Sequence, residues 1–119
     1  MNITPNYHHV FCQRLKQARL AKGLSQKKLG IAAGLDEFVA STRINRYEKG
    51  VHEVSIATAK QLAEVLEVPL AYFYTADDTL AEIMLIFLTL PSEQRMEVLV
   101  QVKECSKQNC SDKSYDITS

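Results

Sequence analysis

Net charge is what this 119-residue sequence lacks first: fourteen Lys and Arg stand against fourteen Asp and Glu. A zero balance argues, at first, against a nucleic-acid partner. Long apolar runs are also missing. The longest, Ile83 to Leu88, falls far short of the roughly 18–20 residues that span a bilayer. The opening Met1-Asn2-Ile3-Thr4-Pro5 has neither the basic region nor the apolar core of a signal peptide, so a cytoplasmic location is expected. Cysteine is sparse. Cys12, Cys105 and Cys110 form no CxxC pair and are odd in number, which excludes a zinc ribbon or a disulfide framework and leaves reduced thiols. His8, His9 and Cys12 lie within one helical turn, but a structural metal site needs a fourth ligand and none is evident, so no metal is expected. No Gly-rich phosphate loop follows a strand, no convincing strand exists, and the Ser, Cys and His residues form no nucleophile motif. No catalytic residue, cofactor or enzymatic activity is therefore expected. Repeats and low-complexity runs are absent as well.

The charge that cancels overall is unevenly distributed. Residues 1–60 carry ten Lys and Arg against four Asp and Glu, or +6; residues 61–119 carry four against ten, or −6. A basic unit joined to an acidic appendage fits this division better than a neutral enzyme does. Within the basic half, residues 25–50, SQKKLGIAAGLDEFVASTRINRYEKG, predict two short helices joined by a glycine-containing turn. Ser25 stands at an N-cap position, and Leu29, Ala33 and Leu35 give an inward face. Gly30 and Gly34 permit close helix contact and a sharp turn. In the second helix Ala40, Ile44 and Tyr47 recur at i, i+4 and i+7, which places Thr42, Asn45, Arg46 and Lys49 on the opposite face. Gly50 follows as a left-handed stop. An outer face that is polar and basic suits the major groove of double-stranded DNA.

These residues resemble the helix-turn-helix family of phage Cro and CI repressors, also called the Xre family, over roughly Phe11 to Tyr74. The resemblance is carried by Arg14-Leu15 and Arg19, Gly23-Leu24-Ser25-Gln26, Leu29 and Ala33-Gly34-Leu35. It continues through Ile44-Asn45-Arg46-Tyr47-Glu48-Lys49-Gly50, then Ile56, Leu62-Ala63, Leu66, Val68 and Leu70. It implies an all-α fold: a five-helix, lambda-repressor-like DNA-binding domain. Its base-contacting positions fall on Ser41, Thr42 and Arg46, with Asn45 on the same face. Arg43 lies to the side of that face, as a reader, a phosphate contact or a solvated charge. Gln26 matches the family glutamine that contacts a phosphate and steadies the reading helix. Ser25, Lys27 and Lys49 are candidate phosphate clamps, the bland alternative for each lysine being a solvated surface charge. Arg19 and Glu48 match a structural ion pair buried between the first helix and the end of the third.

Two departures stand out. Between Leu35 and Ile44 the chain is about four residues longer than the family pattern, which either adds an N-terminal turn to the reading helix or lengthens the turn before it. Gly30 replaces the usual Ala, which keeps the close approach and costs roughly 1 kcal/mol of helix propensity.

Around this pair, a first helix is expected from about His8 to Lys22, with Phe11, Leu15 and Ala18 inward and Gly23 as its stop. Ser55 caps a fourth helix with Ile56, Ala59, Leu62-Ala63 and Leu66 inward, and Pro69 starts a short fifth one ending near Tyr74. Residues 8–75 thus make the helix-turn-helix domain. Beyond it, Leu80 to Leu90 is apolar almost all round, and Pro91-Ser92 begins another amphipathic helix. Such faces need more partner surface than one chain offers, so residues 77–107 are expected to form a C-terminal helical hairpin. It would join two copies through Leu80, Ile83, Met84, Phe87, Leu88, Met96, Leu99 and Val100. The alternative is that the hairpin folds back on the DNA-binding domain. Residues 108–119 have no apolar period and predict a disordered tail. The expected function is a homodimeric, sequence-specific regulator, of phage or prophage repressor type, at an inverted repeat. An antitoxin or restriction-modification controller would use the same DNA chemistry with a further protein partner. An adaptor that kept the fold without DNA binding is the reading from another class.

Overall fold

The computed structural model describes residues 4–109, in which every regular element is helical. The chain divides into two compact units, the first through Met84 and the second from Leu85. The first contains α1 (Tyr7–Lys22), α2 (Gln26–Ala32), α3 (Ala40–Lys49), α4 (Ile56–Leu66), a 3₁₀ helix (Leu70–Tyr74) and most of α5 (Asp78–Phe87). The second contains α6 (Ser92–Asn109).

Local chemistry marks the helix boundaries. Asn6, Ser25 and Ser55 each accept a backbone N–H of the first turn, from His9, Lys28 and Thr58 respectively. α1 and α3 end at Gly23 and Gly50, both left-handed with φ of 73° and 75°, and each donates its N–H back to the last turn. After Pro69, the short fifth helix, Leu70–Tyr74, winds as a 3₁₀ helix.

Phe11, Leu15, Ala18, Leu29, Ile44, Leu62, Leu66 and Phe73 are buried and close the core of the first unit. Each large apolar side chain so buried contributes about 1.5–3 kcal/mol. The ring of Phe11 lies 4.9 Å from that of Phe73, which joins α1 to the 3₁₀ helix. Ile56 departs from the inward stripe predicted for α4, being 61% exposed. It occupies the first helical position, one turn ahead of buried Ala59, where the helix has not yet met the core.

Gly30 shows why α2 and α3 approach so closely. A Cβ there would stand 2.7 Å from the Cβ of Ala40 and 3.0 Å from its Cα and carbonyl oxygen. The contact is with backbone, so relief requires the helices to separate. Gly30→Ala is expected to destabilise the fold, because overpacking costs about 1–3 kcal/mol against about 1 kcal/mol gained in helix propensity. A lowered urea midpoint would report it; a raised one would contradict this packing.

Arg14 is buried on α1 and fully engaged. Its guanidinium donates to the carbonyls of Thr75 (2.9 Å) and Ala76 (3.2 Å), to Gln17 Oε1 (3.0 Å) and to Asp78 Oδ1 (2.9 Å). It also lies 5.6 Å from the centre of the Tyr72 ring. The segment entering α5 is thereby tied to α1. Asp77 caps α5 by accepting the N–H of Leu80, and Ala81 is buried. Leu80 and Ile83 are exposed and Met84 is half-buried, its sulfur 3.4 Å from the Thr75 hydroxyl.

In the second unit, α5 ends at Phe87, three residues before the Leu90 limit expected from its apolar run. Arg95 completes that end: its guanidinium donates to the carbonyls of Leu88 and Leu90, each at 2.8 Å, and lies over the Phe87 ring. Phe87 is half-buried, while Leu88, Met96, Leu99 and Val100 are exposed, and among the described residues none of α6 is buried. Gln108 and Asn109, placed in a disordered tail from the sequence, are instead helical, since α6 runs through Asn109. The rest of that tail, residues 110–119, lies outside the described residues. No helix among the described residues is long and apolar enough to cross a membrane.

Candidate nucleic-acid interface

The insertion that sequence left open lengthens the turn. Glu37–Val39 is turn and α3 begins only at Ala40. The Asp36 carboxylate accepts the N–H of Phe38 at 2.8 Å, and the Val39 N–H donates to the Asp36 carbonyl at 3.0 Å. An aspartate bonded two residues ahead nucleates a turn rather than a helix. Val39, at the cap position of α3, has no side chain able to bond the first turn.

From there α3 separates its two faces. Ala40 and Ile44 are completely buried and Tyr47 is half-buried. Ser41, Thr42, Arg43, Arg46 and Lys49 are exposed. Asn45 behaves differently from its expected group: it is half-buried and accepts a hydrogen bond from the Gln26 amide at 3.2 Å. The same Gln26 nitrogen donates to Glu48 Oε1 at 3.1 Å. Gln26 is thus committed to α3 through its side-chain donor.

Behind α3, Glu48 meets Arg19. Arg19 Nε donates to Oε2 at 2.6 Å and Nη2 to Oε1 at 3.2 Å, a two-pronged pair whose side chains are 11% and 4% exposed. Arg19 Nη1 donates to the Leu24 carbonyl at 2.9 Å. One guanidinium therefore joins α1, the turn before α2 and the end of α3. Every buried side-chain nitrogen or oxygen among the described residues has a hydrogen-bond partner.

On the outer side, Ser25 accepts the Lys28 N–H while its hydroxyl hydrogen remains available, and Lys27 is exposed beside it. The ion pairs among the described residues use none of Lys27, Arg43, Arg46 or Lys49. A set of outward cations, hydroxyls and first-turn amides is chemistry for a polyanion with hydrogen-bonding edges.

The far end of α3 is seated on α1. His8 Nε2 hydrogen-bonds the Gly50 carbonyl at 2.9 Å, and a Cβ on Gly50 would lie 3.0 Å from His8 and 3.3 Å from the Cys12 sulfur. Burial pushes the Cys12 thiol up, against a smaller opposing effect of a backbone hydrogen bond, so it stays protonated. The Tyr72 hydroxyl is raised by burial too, partly offset by Arg14. No group of three or more His, Cys, Asp or Glu among the described residues is arranged to hold a metal ion.

The Helix-turn-helix family pattern matches residues 15–73. The crystal structure of the transcriptional regulator BswR superposes with a TM-score of 0.78 at 42% identity, over 82% of this chain and 96% of that one. The chain belongs to the Cro/CI-type helix-turn-helix regulators. An HTH-type transcriptional regulator of Sinorhizobium fredii is 37% identical over 71 residues, 60% of this chain and 46% of the relative. A transcriptional regulator from the ATPase CF(0) region of Rhodospirillum rubrum is 33% identical over 75 residues, 66% of its length. This helix-turn-helix regulator thus spans under half the length of the Sinorhizobium protein.

Three features of the helix-turn-helix unit were missed in the sequence. Arg14 stands three residues after Phe11, on the inward stripe shared with Leu15 and Ala18, and that position was the available signal of its burial. The His8 contact with Gly50 joins residues 42 apart, which no local pattern reports. Phe38, in the lengthened turn, carried no periodic signal at all.

Proposed function

We propose that this chain is a sequence-specific, double-stranded DNA-binding transcriptional regulator that acts as a homodimer on an inverted repeat and represses by occluding a promoter. The supporting observation is α3 itself: its inner face is fixed by Ala40, Ile44 and the Arg19–Glu48 pair, and its outer face presents Ser41, Thr42, Arg43 and Arg46. In a helix-turn-helix protein the second helix enters the major groove and its early residues meet base edges. Arg46 donates two hydrogen bonds to guanine O6 and N7, worth about 1–3 kcal/mol of discrimination. Ser41 and Thr42 bond to base edges or touch a thymine methyl, and Asn45 positions the helix through Gln26. Ser25, the Gln26 backbone, Lys27 and Lys49 hold phosphates. Residues 8–75 serve as the reader and residues 77–107 as the dimerisation segment, which the exposed Leu80, Ile83, Leu88, Met96, Leu99 and Val100 support. Two-fold pairing of readers demands two-fold symmetric half-sites.

The test is selection of bound duplexes from a random-sequence pool at moderate salt. Recovery of an inverted repeat is expected, with Arg46→Ala relaxing one base position in each half-site and Lys49→Ala weakening all sequences alike. A folded protein that enriches no sequence would replace this reading with an adaptor role.

A further inference from the structure

We propose that Phe38 is a specificity-determining residue whose ring packs against a thymine methyl group in the major groove, so that the lengthened turn extends the reading surface ahead of α3. The proposal rests on α3 acting as the DNA reader. Phe38 is 88% exposed, the most exposed large apolar side chain among the described residues. Leaving a phenyl ring in water forgoes stabilisation that burial would supply. Its position is nonetheless built. The Asp36 carboxylate holds the Phe38 N–H, the Val39 N–H bonds back to Asp36, and the Leu35 N–H bonds to the Gly30 carbonyl. Two residues later Ala40 is locked against Gly30. At about 3.8 Å per residue, Phe38 lies within about 8 Å of the start of α3, the end that meets base edges in this mode of docking.

The chemistry of the turn selects among the parts of DNA it can touch. Asp36 and Glu37 repel phosphates, so the tip is unsuited to the backbone. The Asp36 carboxylate, though exposed, is engaged with the Phe38 backbone N–H, and the Phe38 ring is the apolar contacting group that the turn presents. In the major groove the C5 methyl of thymine is the apolar group that matches a phenyl ring.

The experiment compares the full chain with Phe38→Ala, first by selection from random duplexes and then on the recovered half-site with each thymine replaced in turn by uracil. Uracil removes the methyl and keeps the hydrogen-bonding edge. The unaltered chain is expected to lose about fourfold in affinity at one thymine beside the α3 positions. Phe38→Ala is expected to bind thymine and uracil duplexes equally there, while keeping the guanine preference assigned to Arg46. Matching thermal unfolding of the two proteins checks that only the contact has changed. Equal discrimination by both proteins, or no thymine whose methyl matters to the unaltered chain, would overturn the proposal and leave the reader intact. A change confined to oligomeric state would overturn it in favour of a second copy covering Phe38. Failure of the unaltered chain to select any sequence would overturn the DNA-reading function together with it.

Discussion

Glu48→Ala is expected to lower the unfolding free energy by about 3–5 kcal/mol, the cost of stranding a buried charge. The estimate applies because both partners are enclosed, with 11% of the Arg19 side chain and 4% of the Glu48 side chain exposed. Removal of the carboxylate takes two of the guanidinium's three hydrogen bonds and leaves only the one to the Leu24 carbonyl. It also takes one of the two acceptors of the Gln26 amide. Against a typical total stability of about 5–15 kcal/mol, such a loss leaves a measurable fraction unfolded at room temperature. Urea titration should show a large fall in midpoint with an unchanged slope. The double change Arg19→Met with Glu48→Leu should lose less than Glu48→Ala alone, since no charge is then left unpaired. It would not recover fully, because Leu24 and Gln26 still lose partners. An additive double mutant would show that burial does not control the energetics of this pair. The Arg14–Asp78 pair supplies the contrast: the Asp78 side chain is 92% exposed. Asp78→Ala is therefore expected to cost at most about 1 kcal/mol.

Raising the salt concentration from about 50 to 200 mM should weaken operator binding by about 10³- to 10⁵-fold, if a dimer makes about six to ten phosphate contacts. The zero net charge of the chain does not oppose this expectation. At such ionic strengths a charge is felt over only about 10 Å, so in the proposed complex the local cations Lys27, Arg43, Arg46 and Lys49 would count for more than the total charge. The ten cations and four anions of residues 1–60 leave that half at +6. Fluorescence anisotropy of a labelled operator across a salt series gives the slope, and each phosphate contact contributes about −0.9 to it on a logarithmic scale. Lys49→Ala should make the slope shallower by about one contact in each half-site. A flat response would sink the assignment of Ser25, Gln26, Lys27 and Lys49 to the backbone of DNA.

Helix limits were legible in the sequence where one side chain or one glycine decides them. Ser25 and Ser55 cap, and Gly23 and Gly50 stop, because these bonds form within a few residues of the deciding position. The outcome for Asp36–Val39 was not legible, since a lengthened turn and an added helical turn differ only in whether the Asp36 carboxylate reaches the Phe38 N–H. Periodicity placed Ile56 inward because it cannot tell how far the core extends beyond Ala59. It also ended the last helix too early, at 107. Loss of an apolar stripe does not stop a helix, and no breaker follows Lys107 before Asn109. In the candidate site, the outward placing of Thr42, Arg46 and Lys49 followed from helical angle alone, while Ser41 came from the family resemblance. The engagement of Asn45 depends on Gln26, nineteen residues away, and needed the fold to reveal it.

Gly30 at its start, and His8 with Cys12 at its end, hold α3 through contacts made by Ala40 and Gly50. None of these contacts draws on Ser41, Thr42, Arg43 or Arg46. The grip and the outer face can therefore diverge independently: changes at those four positions alter what the helix prefers to touch without re-engineering how it is mounted. A scaffold of this kind is open to retargeting by a few surface substitutions, whereas a change at either glycine tilts every outward residue at once.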